Sequence, residues 1–363
     1  MTLHRFLSKQ MSNAEQKNLF FFMVLLLLVF FMAARTPLDT DLWWHLRAGE
    51  ATLQSGQPTL TDSFSFTRTG QIWYNHSWLA QVILYGVYHL GGFTGLACLV
   101  TLLVLVGIGF IWLQLEGPAI IKMIVILFVA LVASFVWSPR PQLFSLTLFA
   151  VTGYLLYLFK WKQKDYLWVF LPIFILWSNL HGGYTLGFLL IGACLAGEVI
   201  NHLPGYPAAA PMPWRGIIKL AGIGLLSGLA VAINPNGIQT WVEPFRTVQV
   251  QALQQYISEW TSPDFHDIGQ QSILWLLFLT VGALGLSGKR IDGSDLVTFL
   301  LFGYMAMVAR RNFGPFAFAA GPILGRHLWP AVEGIWNRAG EQRPKLTSWL
   351  KSHLCTGSQA KMP

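Results

Sequence analysis

Charged side chains are scarce in this sequence, making up 11% of its 363 residues against 54% that are hydrophobic. A soluble globular domain carries about a quarter charged residues, and a mean hydropathy of +0.51 places the chain outside that class. Cysteine is rare too. Cys98 and Cys194 lie inside apolar runs and Cys355 in a polar stretch, so no disulfide framework is implied. No GxSxG, Walker A or GxGxxG fingerprint sits in a strand-to-helix setting, which removes support for hydrolases, nucleotide-driven pumps and Rossmann dehydrogenases. No repeat period and no long polar segment divides the chain.

What the sequence does contain is a series of apolar runs of about 20 residues, long enough to cross a bilayer core. They fall near 18–34, 92–114, 119–137, 142–160, 166–180, 184–203, 217–233, 272–287, 295–309 and 313–329. The expected fold is all-α, a polytopic transmembrane bundle of about ten helices over residues 1–330. Long external loops are expected at 35–91 and 234–271, and a cytoplasmic polar tail at 331–363. Lys9 and Lys17 precede the first run and Met32-Ala33-Ala34 resembles a cleavage site, but the run is longer than a signal peptide's apolar region. It reads as an uncleaved anchor.

The formal charge of +8 follows from topology rather than from a nucleic-acid partner, because the basic residues fall in short loops. Alternate threading puts Lys122, Lys160, Lys162, Lys164, Arg215, Lys219, Lys289, Arg290 and both termini on one side. The positive-inside rule makes that side cytoplasmic, and the expected location is the plasma (inner) membrane. The opposite side receives no lysine, yet it holds Arg35, Arg47, Arg68, Arg140, Arg246, Arg310 and Arg311. A planar guanidinium fork suits phosphate or carboxylate better than a point charge does. Any one of these arginines could instead snorkel to lipid headgroups or pair with a loop carboxylate. Arg140, within Ser138-Pro139-Arg140-Pro141, and Arg310-Arg311, at a helix end, stand out as functional candidates for binding such an anion.

The first external loop opens with Asp39-Thr40-Asp41-Leu42-Trp43-Trp44-His45-Leu46-Arg47, a few residues past the first apolar run. Leu42, Trp43, Leu46 and Leu53 share a helical face, so residues 41–54 read as an interfacial helix lying along the membrane. It would hold Asp39 and Asp41 near the surface, although an acidic residue there is also an ordinary cap. The same side carries Trp73-Tyr74-Asn75-His76-Ser77-Trp78-Leu79-Ala80-Gln81, Trp177-Ser178-Asn179-Leu180-His181-Gly182-Gly183 and Glu259-Trp260-Thr261-Ser262-Pro263-Asp264-Phe265-His266. His45, His76, His181, Glu259 and Asp264 are thus secondary polar candidates on that face. A divalent cation on Asp39 and Asp41 is the one cofactor this pattern suggests. No HxxxH or HExxH spacing supports a histidine metal site.

An Asp-x-Asp pair directly after the first membrane helix, followed by an interfacial helix, resembles the GT-C superfamily of polytopic glycosyltransferases. The strings Asp-Thr-Asp-Leu-Trp-Trp-His-Leu-Arg-Ala-Gly and Asn-His-Ser-Trp-Leu-Ala are also similar to those of a group of bacterial membrane proteins with no assigned substrate. The resemblance implies a sugar donor carried on polyprenyl phosphate and catalysis by the acidic residues of the first external loop, which here are Asp39 and Asp41. On that reading Arg140, Arg310 and Arg311 are the donor-phosphate partners, and His45, His76, His181, Glu259 and Asp264 are secondary candidates for acceptor contact. It implies membrane-lipid partners and leaves a protein partner unassigned. The chain departs from many of these enzymes in having no large C-terminal external domain. Two other classes compete. A transporter or lipid flippase needs polar groups at depth, for which Glu198 is the main acidic candidate. A non-catalytic membrane assembly factor needs no convergence of Asp39, Asp41, Arg140 and Arg310.

Overall fold

A computed structural model describes residues 13–34, 39–206 and 211–342. Arg35, Lys9 and the lysines at 345, 351 and 361 lie outside them. The described residues are all-helical, with thirteen α-helices and one isolated bridge between Thr61 and Ile72. In chain order these are α1 (Asn13–Ala33), α2 (Leu42–Ser55), α3 (Trp78–Trp112), α4 (Ala119–Ala133), α5 (Pro141–Trp161), α6 (Phe170–Leu180) and α7 (Tyr184–Asn201). There follow α8 (Trp214–Ala230), α9 (Gln239–Gln249), α10 (Gln251–Tyr256), α11 (Ser272–Leu286), α12 (Gly293–Val308) and α13 (Phe313–Gln342).

Each of the ten expected apolar segments lies on a helix. Four helical stretches, Trp78–Trp112, Ala119–Val136, Pro141–Trp161 and Tyr184–Asn201, are long and apolar enough to cross a membrane by length and composition. Asn18–Ala33, Leu167–Leu180, Ser272–Leu286 and Gly293–Val308 are apolar but shorter. The core that joins them is aromatic. Phe170, Phe174, Trp177, Phe302, Phe313 and Phe316 are completely buried, and α13 threads the middle against α4 and α11.

Three boundaries differ from the expected ones. α3 starts at Trp78 rather than near 92, because Gln81, Tyr85, Tyr88 and His89 dilute the hydropathy of its first turns without breaking helical geometry. Gly92, at φ 56° and ψ −145°, then kinks it where only glycine enters that region freely. The segment expected as loop 234–271 contains α9, α10 and a short 3₁₀ turn at Ser258–Trp260. The helix that begins the last segment also continues past Pro330 into the residues expected as polar tail.

α2 is fixed to the start of α3 at Gly49. A Cβ there would lie 2.2 Å from the Gln81 carbonyl oxygen, so only glycine allows this approach. α2 buries Leu42, His45 and Leu46 and exposes Trp43 and Trp44. At the opposite end of the bundle α7 and α12 meet at Gly197, whose Cβ would lie 2.2 Å from the backbone of Ser294.

Candidate functional site

Local backbone chemistry sets the first arginine. Arg140 is followed by proline, which pushes it into extended geometry (φ −122°, ψ 155°) and places Pro141 at the first position of α5, where its missing N–H costs nothing. Asp39 and Asp41 divide their tasks. The Asp39 carboxylate accepts the Asp41 backbone N–H at 2.9 Å, fixing the turn into α2. The Asp41 side chain makes no cap and instead reaches Arg140 Nη2 at 2.8 Å. Asp39 stands 3.9 Å from the same guanidinium.

Glu259 completes the cluster from the 3₁₀ turn after α10. Its carboxylate pairs with Arg140 at 2.9 and 3.4 Å and lies 4.0 Å from Arg311. Arg310 and Arg311 occupy the one-turn link between α12 and α13. Arg310 binds Thr261 through its backbone N–H (3.1 Å) and its guanidinium (2.8 Å), while Arg311 stacks on Trp260 at 4.0 Å. The three consecutive residues Glu259, Trp260 and Thr261 therefore tie the α12–α13 corner to the start of α5. Burial opposes the charge on Arg140, but Glu259, Asp39 and Asp41 more than offset it and raise its pKa. Burial lowers that of Arg311, with only Glu259 in opposition.

Asp39, Arg140, Glu259, Arg310 and Arg311 line one cavity of about 410 Å³, and Asp41 joins it through Arg140. A second cavity of about 670 Å³ lies next to it, walled mainly by apolar side chains. The two share Val136, Gln142 and Arg311. His76 and His181 face the larger one, with ring centroids 5.9 Å apart. His45 is buried on α2, its ring against Trp44 and its Nδ1 3.5 Å from the Gln81 amide. Burial, with Arg140 and His76 nearby, pushes its pKa down to about 3. Burial also lowers His76, and lowers His181 well below the ordinary value, where His76 and Arg311 act in the same sense. All three imidazoles are neutral at pH 7.

The other expected site residues are placed elsewhere. Asp264 is exposed and is held locally by the backbone and ring of His266. Arg47 pairs with Glu50 and Arg246 with Glu243, the ordinary surface role. Among the described residues no three His, Cys, Asp or Glu side chains converge to hold a metal ion. Asp39 and Asp41 are directed at Arg140 instead.

Two features carry no local sequence signal. Ser145 connects His181 Nδ1 (2.8 Å) to the Trp177 indole N–H (2.7 Å). At the far end of the bundle, Lys160 is not a loop lysine but is buried, ion-paired with Glu198 and Asp292 and 2.8 Å from Ser294 Oγ. Asn201 also donates to Asp292 at 3.1 Å, and the Met212 N–H to Glu198 at 2.9 Å. Glu198 is thus closed off by partners. Comparison with known protein families and with curated proteins finds no match to this chain.

Proposed function

We propose that the protein is a membrane glycosyltransferase of the GT-C kind, moving a sugar from a polyprenyl-phosphate donor to an acceptor at the extracytoplasmic face. The observation that carries this reading is the 410 Å³ cavity in which Arg140, Arg310 and Arg311 meet Asp39 and Glu259, with Asp41 paired to Arg140. Three guanidiniums at one point suit a phosphate diester or monoester. Lysine-bearing loops at the other end of the chain's helices set the orientation by the positive-inside rule, with about ten crossings and α2 lying in the interface on its exposed Trp43 and Trp44.

The reaction is a direct displacement. The acceptor oxygen forms a bond to the anomeric carbon as the bond from that carbon to the phosphate oxygen breaks. The acceptor's proton passes to a carboxylate and the polyprenyl phosphate leaves with the electron pair. Asp41 is the better base of the two. Its side chain is 41% exposed and makes one contact, whereas Asp39 is 14% exposed and has one oxygen committed to the turn. Charge developing on the leaving phosphate is met by Arg140 and Arg311, and one such donor is worth about 10²–10³ in rate.

The competing classes fit less well. A transport route would need to reach Glu198, which is fully buried against Lys160. An assembly factor has no use for carboxylates and arginines gathered from α2, α5 and the α12–α13 corner. Asp39→Asn and Asp41→Asn, assayed separately for sugar transfer from a panel of polyprenyl-phosphate sugars, test the reading. Loss of transfer in Asp41→Asn is expected, and full transfer in both variants would discard it.

A further inference from the structure

The 670 Å³ cavity beside the arginines plays no part in donor binding as described, yet its polar end is built with care. His181 sits between α6 and α7 in extended geometry (φ −170°, ψ 146°). Its Nδ1 accepts the Gly183 backbone N–H at 3.0 Å, and a Cβ on Gly183 would fall 2.4 Å from Ser145 Oγ, so glycine is required there. An imidazole whose Nδ1 accepts an amide N–H, and which stays neutral, carries its proton on Nε2. The Ser145 hydroxyl, itself accepting from Trp177, donates to the same Nδ1. His181 therefore offers a hydrogen-bond donor.

His76 lies beside it, with its Cδ2–Nε2 edge facing Gly182, where an added Cβ would lie 3.4 and 3.8 Å from those two atoms. The two rings stand with centroids 5.9 Å apart at the same end of the cavity, and burial lowers the pKa of both. A hydroxyl, which both donates and accepts, suits a pair of neutral imidazoles of either tautomer. Neither ring brings a charge to hold an ion, and an ammonium would also face the nearby Arg311.

The surface of the cavity is mainly apolar, with Leu146, Leu186 and Met305 in its wall beside Thr185 and Asn312. Its exposed lining carries Val248 of α9 and Tyr304 and Val308 of α12, at 55%, 70% and 48% exposure, beside the exposed polar Gln254 and Ser262. The apolar part of that mouth, in a protein with membrane-length helices, suits a lipid chain and the polar part a headgroup.

We infer that this cavity is the acceptor site, and that the acceptor is a membrane amphiphile entering between α9 and α12 with an uncharged headgroup hydroxyl held between His76 and His181. The inference rests on the glycosyl-transfer reading for its role and on the histidine pair for its chemistry. The pair positions the headgroup beside the wall of Val136, Gln142 and Arg311 that this cavity shares with the arginine cavity.

The test uses the full-length protein in nanodiscs and two diazirine-bearing probes, a long-chain alcohol and the matching alkyl phosphate, with labelled peptides mapped. The alcohol is expected to label Tyr184–Asn201 and Gly293–Val308, with about tenfold less labelling in His181→Phe or His76→Phe, the loss expected for one hydrogen bond. Val308→Trp, which narrows the mouth, should reduce it as well. Retained alkyl-phosphate labelling in these variants shows that they are folded. Even alcohol labelling of all lipid-facing helices, or labelling indifferent to all three substitutions, would overturn the inference. Alkyl-phosphate labelling that ignores Arg140→Gln, beside an intact alcohol footprint, would count against the donor reading alone.

Discussion

Replacing Glu259 by glutamine isolates what the arginine cluster is for. Glu259 bridges Arg140 at 2.9 Å and Arg311 at 4.0 Å, the position a phosphate oxygen would take between two guanidiniums. A ligand phosphate must displace it or share the arginines with it. A charge-assisted hydrogen bond is worth about 1.5–3 kcal/mol, and since the side chain is 24% exposed solvent screening reduces this to roughly 1–2 kcal/mol. At 1.4 kcal/mol per tenfold, Glu259→Gln should bind farnesyl phosphate about 5–30-fold more tightly. The gain should shrink as salt rises from low to physiological ionic strength. The amide keeps the shape, and Arg140 keeps Asp41, so the fold should hold. Thermophoresis on detergent-solubilised protein reads the affinity directly. Unchanged or weaker binding in Glu259→Gln would refute the idea that Glu259 occupies the anion seat.

Other consequences follow from the same structure. Lys160→Met leaves Glu198 and Asp292 buried without their counter-charge, which should cost about 3–5 kcal/mol and lower the melting midpoint by roughly 6–10 °C. A thermal melt in micelles checks it, and Lys160→Met with Glu198→Gln and Asp292→Asn should recover most of the loss. Gly197→Ala should separate α7 from α12, because the new methyl meets backbone rather than a movable side chain. Stability should drop by about 1–3 kcal/mol or more, readable in the same melt. The histidines give a pH signature. His45 titrates at about 3 in the folded protein against 6.5 for the free group, so unfolding takes up a proton below pH 6.5. Its contribution is complete above that pH and is lost as pH falls toward 3. Between pH 7 and 5 this is about 2 kcal/mol for His45, and a His45→Gln variant should show a correspondingly flatter fall in stability over that range.

The helices were largely readable because apolar runs of membrane length leave little ambiguity. Arg140, Arg310 and Arg311 could be singled out because the stretches expected on one side held seven arginines and no lysine. Other features were hidden for physical reasons. The first turns of α3 are helical but amphipathic, so a hydropathy window passes over them. Lys160 looks like one of three lysines in a loop, and only the fold brings it to Asp292, 132 residues away. Glu259 stands 119 residues from Arg140, and Ser145 is an unremarkable serine in an apolar helix until His181 packs on it. Asp264 and Glu259 look alike in the sequence. Their separation comes from local bonding, with Asp264 turned back to His266 and Glu259 turned inward to the arginines.

The central claim is that the arginine cavity stabilises a departing polyprenyl phosphate. Its most direct test is release of free polyprenyl phosphate from polyprenyl-phosphate sugars by purified protein in liposomes, comparing wild type with Arg140→Gln. The account predicts release by wild type and a loss of about 10²–10³ in rate in the variant. Release at an equal rate by both proteins would contradict it.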